Sequence, residues 1–125
     1  MNQICSALGI PIDSIRWENA LVANAIAKAV KHPIAYIHMP VPRQRATDDF
    51  MAPLRDLKLA PGTELYLGVI HAADGVAGAR ERIALARKYV GEFGIATECG
   101  FARARKPDLV NALIDIHAGA AVEPD

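Results

Sequence analysis

The chain has 125 residues, of which 52% are hydrophobic and 22% are charged, as expected for one globular domain that spans residues 1–125. Its 14 basic residues balance its 14 acidic residues, which argues against bulk electrostatic binding to nucleic acid or to an anionic membrane. Neither a membrane-spanning apolar run nor a signal peptide is recognisable, so we expect a cytoplasmic protein without a membrane partner.

The two cysteines, Cys5 and Cys99, are far apart in the sequence and lack the spacing of a disulfide framework. Free thiols in a reducing compartment are the simplest interpretation.

In chain order, an alanine-rich helical segment precedes three apolar, β-forming runs, and each of these runs is followed by a helical segment. The predicted strands are residues 34–39, 64–71 and 95–99. The predicted helices are residues 15–32, about 76–90 and 107–121. A further short helix is predicted after the first strand, capped by Thr47 or Asp48 and ending at Leu57. Gly68 within the second strand predicts that another group packs closely against the backbone there. In the third helix, Arg82 is assigned to the solvent-facing side together with Arg80, Glu81, Arg87 and Lys88.

Buried strands that alternate with helices predict an α/β fold with a parallel sheet and right-handed crossovers. The sequence therefore predicts three parallel strand-helix units preceded by a helix. A sheet of three strands has two open edges, and a complete (β/α)8 barrel needs roughly 250 residues. The fold is accordingly either a small open sheet or part of a TIM barrel.

Residues of types that commonly act in catalysis or metal binding occur at the ends of the predicted strands. His38, His71, Glu98 and Cys99 lie at or near strand ends, where parallel α/β proteins bind their ligands. All four are types that bind zinc, and a catalytic zinc site keeps one coordination position open. The alternative is that each histidine is a hydrogen-bonded structural residue and that Cys99 is an inert buried thiol.

A second candidate site is the glycine-containing loop that enters the third helix. Helix N-termini bind anions, and Asp74, Gly75 and Arg80 are its predicted cofactor-binding residues, for a phosphorylated small molecule. The alternative is a helix cap at Asp74 with a tight turn at Gly75. Further basic residues on loops near the same predicted edge can bind a carboxylate or phosphate, or can be solvated: Arg43, Arg45, Arg103, Arg105 and Lys106. His32 and His117 fall on helices, and we interpret them as structural.

Residues 36–42, 65–71 with Asp74 and Gly75, and 96–101 resemble the C-terminal part of the barrels in the cobalamin-independent methionine synthase and uroporphyrinogen decarboxylase superfamily. The resemblance extends from about Asn19 to Ala120. In the methionine synthases a zinc ion activates the thiol of homocysteine, which takes a methyl group from a folate. The Cys99-Gly100 pair matches the pair in that family whose cysteine is a zinc ligand.

The resemblance implies zinc as a cofactor, with Cys99 and His38 as ligands and with His71 or Glu98 as a further ligand or general base. His38 stands where the family has a glutamate ligand, and the family's upstream His-x-Cys pair is absent from this sequence. A small-molecule substrate is the implied partner. The alternative is a non-enzymatic partial barrel that forms a homo-oligomer or pairs with a missing N-terminal half.

Overall fold

A computed structural model describes residues 19–98 and 100–122. Within these residues, four α-helices and three β-strands follow the predicted order: α1 Asn19–Ala29, β1 Tyr36–Pro40, α2 Asp48–Met51, β2 Glu64–Ile70, α3 Gly75–Arg87, β3 Gly94–Thr97 and α4 Pro107–Ala121. Short 3-10 helices occupy Arg43–Arg45 and Ala52–Asp56. A helix followed by three strand-helix units is thus confirmed, whereas the predicted helical residues 15–18 lie outside the described part of the chain.

The three strands form one parallel sheet in the order β1-β2-β3, which confirms the predicted parallel α/β architecture. His38 pairs with Tyr66 across β1 and β2, and Gly68 pairs with Ala96 across β2 and β3. The β2–β3 register shifts between Gly68 and Ile70. Because the strands follow one another in sequence, right-handed crossovers place the connecting segments on one face of the sheet.

That face carries the hydrophobic core. Leu67 and Val69 on β2 are 1% and 0% exposed, and they belong to the same buried cluster as Ala79 and Ala86 of α3 and Leu113 of α4. Full burial of a side chain the size of leucine or valine stabilises a fold by about 1.5–3 kcal/mol. The alternating apolar residues of β2 therefore hold the helices on the sheet.

The opposite face of the sheet is more polar and more aromatic. Tyr36 and Tyr66 meet edge to face, with ring centroids 5.8 Å apart, and Tyr36 is 61% exposed. A Cβ at Gly94 would overlap the Tyr66 ring, so the ring in its present position needs a glycine there. A Cβ at Gly68 would lie 2.9 Å from His38 Nε2 and 3.2 Å from the Thr97 carbonyl oxygen, which confirms the predicted close approach.

Several details of the helices differ from the sequence prediction. Helices α1 and α3 end at Ala29 and Arg87, each about three residues before its predicted end. The segment that was expected to be one helix ending at Leu57 divides into α2 and the 3-10 helix Ala52–Asp56, since Pro53 has no N–H for a continuing α-helical hydrogen bond. The predicted cap is confirmed, because the Thr47 hydroxyl accepts a hydrogen bond from the Phe50 N–H. The assignment of Arg82 to the solvent-facing side of α3 was wrong, because Arg82 is 4% exposed.

The last helix meets the start of α3. Arg80 donates hydrogen bonds to the carbonyl oxygens of Gly119 and Val122, and a Cβ at Gly119 would lie 2.9 Å from Val76. The C-terminal end of α4 therefore lies beside the first turns of α3. None of the helices in the described part of the chain is long and apolar enough to cross a membrane.

Candidate functional site

The carboxyl ends of the three strands are joined by a polar cluster centred on His71. This residue follows β2 directly and is 9% exposed. Its Nε2 lies 2.7 Å from the carbonyl oxygen of Val41, just beyond β1, and its Nδ1 lies 3.6 Å from Glu98 Oε2, just beyond β3. Val41 and Glu98, which are 30 and 27 positions from His71 in the sequence, thus both contact its ring, because parallel strands end at the same edge of a sheet.

Arg105 completes this cluster from the loop that follows β3. Its guanidinium donates a hydrogen bond of 2.8 Å to Glu98 Oε1, and the two side chains are 18% and 43% exposed. Gly100, with a φ of 77°, and Ala104, with a φ of 55°, turn the loop back towards the strand. Both oxygens of Glu98 therefore face a nitrogen-bearing group, and Glu98 is the member of the cluster most open to solvent.

The hydrogen bond to Val41 determines which tautomer His71 adopts. A carbonyl oxygen only accepts, so the neutral ring carries its proton on Nε2 and has a lone pair on Nδ1. When Nδ1 also takes a proton, its N–H points towards the Glu98 carboxylate. The geometry therefore suits Nδ1 to accept a proton and Glu98 to stabilise the resulting cation.

A second polar group supports the loop between His71 and α3. The Arg82 guanidinium binds both carboxylate oxygens of Asp74, at 2.6 and 2.8 Å, and Arg82 Nε donates to the Val69 carbonyl oxygen at 2.8 Å. This bond satisfies Val69 where the β2–β3 register shifts. The hydrogen bonds from Arg82 hold the pKa of Asp74 below its usual value against the opposing effect of burial, and the charges of Arg82, His71 and Arg43 lower the pKa further.

His38 lies apart from this cluster. It is the third residue of β1 and faces Gly68, whereas the cluster begins at His71, beyond the end of β2. Its Nε2 is buried and has no hydrogen-bond partner in the described structure. An unpaired buried nitrogen is unfavourable, and His38 Nε2 is such an atom among the described residues.

The predicted phosphate-binding residues have other partners. Asp74 occupies the N-cap position of α3, but its side chain makes no capping hydrogen bond there and binds Arg82 instead. Gly75 has a φ of 62°, a conformation that glycine adopts without strain. Arg80 points its guanidinium to the end of α4, and anion binding by these three residues stays a prediction.

The predicted zinc site is only partly described. Cys99 lies outside the described residues, so its place relative to His38 is not part of the structure. Within residues 19–98 and 100–122, no group of three or more histidine, cysteine, aspartate or glutamate side chains could hold a metal ion. His38 Nε2 is the orphaned ligand atom in this region, whereas His71 and Glu98 already face other groups of the protein.

The sequence predicted that His71 and Glu98 lie near each other, which the structure confirms, but it did not predict the contacts of Arg82 and Arg105. A signal was present for Arg105, since Gly100 allows the loop to fold back over the strand end. For Arg82 the only signal was the acidic residue eight positions earlier, Asp74. No protein-family model, curated protein or solved structure matches this chain.

Proposed function

We propose that the chain is a partial barrel of the methionine synthase-like superfamily, with a small-molecule site at the carboxyl edge of its sheet. The observation that supports this proposal is the cluster of His71, Glu98 and Arg105. Barrel enzymes place their catalytic groups on loops at this edge, and the sequential order β1-β2-β3 is the order of consecutive barrel units.

In the proposed chemistry, His71 acts as a general base towards a thiol substrate. The S–H proton moves to Nδ1, which leaves a thiolate and an imidazolium whose two N–H groups face Val41 and Glu98. Arg105 orients Glu98 and balances its charge in the resting state. A zinc ion held by Cys99 and His38 would lower the pKa of the substrate thiol.

Two measurements on the full chain test this proposal. We expect wild-type protein that is purified with zinc to retain the metal, and we expect both Cys99→Ser and His38→Ala to lose it. Cys5→Ser is the matched control, because it removes the other thiol of the chain. Equal zinc content in the two serine variants would contradict the assignment of Cys99.

The second measurement addresses His71. We expect homocysteine to raise the melting temperature of the wild-type protein and to do so much less in His71→Gln, which lacks the basic ring nitrogen. His117→Gln on α4 is the control. Equal stabilisation of both variants by homocysteine would contradict a role for His71 in binding it.

A second candidate is a non-enzymatic domain, and the polar and aromatic face of the sheet favours it. Parallel sheets are usually covered on both faces, yet Tyr36 on this face is 61% exposed. Such a domain would complete its fold by association with a missing N-terminal half or with other copies. A higher melting temperature on adding a barrel half that supplies the absent His-x-Cys would support this candidate. An unchanged melting temperature would count against it.

A further inference from the structure

The three connections that lead from a strand to the next α-helix carry an excess of positive charge. They are residues 41–47, 71–74 and 98–106, and they lie at the carboxyl edge of the sheet, as the His71 cluster does. Their acidic residues are Asp74 and Glu98, and their basic residues are Arg43, Arg45, Arg103, Arg105 and Lys106. The chain as a whole has no net charge. This edge is therefore more positive than the chain as a whole, which favours an anionic group in a ligand.

Both acidic residues of this edge already have a cationic partner. Asp74 binds an arginine of α3, and Glu98 binds Arg105. Neither Arg43 nor Arg103 forms an ion pair with a carboxylate of the described residues, and both side chains are exposed. These two guanidinium groups therefore have N–H donors that a ligand can use.

Arg43 is two residues beyond a contact of the His71 ring. The Val41 carbonyl oxygen is 2.7 Å from His71 Nε2, and Arg43 begins the 3-10 helix that follows. Two residues span at most about 7 Å, so the Arg43 backbone is near this ring. The pKa of Asp74 is lowered mainly by hydrogen bonds from Arg82, and the charge of Arg43 adds to that effect. The Arg43 guanidinium is thus within electrostatic range of the loop that begins with His71.

Arg103 lies on the loop that follows β3. Its backbone N–H donates to the Gly100 carbonyl oxygen at 3.0 Å, which closes a turn in that loop. It is two residues before Arg105, which belongs to the His71 cluster. Because β1 and β3 flank β2, Arg43 and Arg103 are on the two loops that flank the loop beginning with His71.

The helix N-termini at this edge favour a carboxylate over a phosphate. Phosphates are commonly bound by the free N–H groups of a helix N-terminus, but Asp74 precedes α3 directly and Asp108 lies in the first turn of α4. These two carboxylates repel a dianion more strongly than a monoanion. A guanidinium group can bind a carboxylate through two parallel N–H donors. A ligand with a single carboxylate therefore suits this edge best.

We propose that Arg43 and Arg103 bind the carboxylate of a thiol substrate whose sulfur faces His71. This inference rests on the proposed function for the thiol, and it adds the group by which the site selects its substrate. His71 remains the base, and the two arginines determine specificity by binding. Homocysteine has both groups, and homocysteamine is the same molecule without the carboxylate.

Isothermal titration calorimetry with the full chain tests the inference. We expect the wild-type protein to bind homocysteine at least about tenfold more tightly than homocysteamine. Arg43→Gln and Arg103→Gln should each weaken homocysteine binding by about tenfold and leave homocysteamine binding unchanged. Arg43→Lys should keep part of the affinity, because the charge remains while the planar pair of N–H donors is lost.

Arg55→Gln is the matched control. Arg55 is also an exposed arginine, and its guanidinium lies 4.6 Å from the centroid of the Tyr89 ring. Tyr89 follows the C-terminal end of α3, whereas the His71 cluster is at the other end of that helix. Arg55→Gln should therefore bind homocysteine as the wild type does. Circular dichroism of each variant shows whether its helices are retained.

A probe without a thiol separates this inference from the proposed function. α-Aminobutyrate has the carboxylate of homocysteine but no sulfur. If it binds the wild type and binds Arg43→Gln at least about tenfold more weakly, the carboxylate site stands even where zinc content and His71→Gln contradict the thiol chemistry. Homocysteine binding that depends on His71 but is equal in Arg43→Gln and Arg55→Gln would overturn the carboxylate site and leave the proposed function in place.

Three further outcomes would overturn the inference. One is a wild-type chain that binds homocysteine and homocysteamine equally. Another is a wild-type chain that binds neither homocysteine nor α-aminobutyrate. The third is tighter binding of α-aminopropylphosphonate, in which a phosphonate replaces the carboxylate, than of α-aminobutyrate, because the edge would then select a dianion.

Discussion

Replacing Arg82 with Met would remove the central hydrogen-bond donor beneath the candidate site while retaining a long side chain of similar length. Arg82 is 4% exposed and makes three hydrogen bonds, two to Asp74 and one to the Val69 carbonyl oxygen. The substitution leaves the Val69 oxygen buried without a partner, which costs about 1–3 kcal/mol. It also leaves Asp74 without its counter-ion.

The expected loss of stability follows from these contacts. Breaking a buried ion pair by removing one partner costs about 3–5 kcal/mol, but the Asp74 side chain is 29% exposed and water compensates part of its charge. We therefore expect Arg82→Met to lower the free energy of unfolding by about 3 kcal/mol. With a urea m-value of about 1–3 kcal/mol/M, the midpoint falls by more than about 1 M and m stays unchanged.

The same variant changes the dependence of stability on pH. The pKa of Asp74 is lower in the folded protein than in the unfolded chain, chiefly because Arg82 donates hydrogen bonds to its carboxylate. The unfolded chain therefore binds a proton first, so this contribution is complete above the unfolded pKa and is lost as the pH falls through the folded pKa. Wild-type stability should decline with acidification below about pH 4, and Arg82→Met should lack this part of the decline.

Urea unfolding at several pH values, followed by circular dichroism, measures both effects. Arg80→Met is the matched control, because Arg80 lies on the same helix and is exposed, and its hydrogen bonds within the described residues go to Gly119 and Val122. We expect this control to cost less than about 1 kcal/mol. A loss of under 1 kcal/mol for Arg82→Met, or an unaltered acid dependence, would show that the buried arginine does not support the site as described.

Two further predictions concern close contacts outside this cluster. Gly68→Ala would place a methyl group 2.9 Å from His38 Nε2 and 3.2 Å from the Thr97 carbonyl oxygen, and we expect it to lower the free energy of unfolding in urea by about 1–3 kcal/mol. Adding His38→Ala should recover only part of this stability, because the contact with the backbone oxygen remains. Full recovery would contradict this packing. The pKa of Tyr89 is raised above its usual value because its hydroxyl donates to the Asp48 carboxylate, so alkaline ultraviolet titration should show its ionisation at higher pH than in Asp48→Asn, and identical titration curves would exclude that bond.

The sequence was informative wherever a local rule operates. Apolar β-forming runs and helical periodicity predict the strands and helices, and Thr47 caps the helix that it was expected to cap. Parallel strands that alternate with helices must end at one edge. For that reason the sequence alone predicts that His71 and Glu98 lie near each other, as they do in the structure.

Contacts between side chains depend on the packing of the whole fold, so local sequence patterns do not predict them. Helical periodicity assigned Arg82 to solvent because a charged residue is normally exposed, yet the register shift at Gly68 to Ile70 leaves a carbonyl oxygen that needs a buried donor. His38 was predicted at a strand end beside His71, but the direction of its side chain in β1 turns it towards Gly68. Composition and periodicity therefore determine the helices and strands and the edge of the sheet where function is expected. The tertiary structure decides which polar atoms at that edge are paired and which remain unpaired, because pairing depends on strand register and burial across distant parts of the chain.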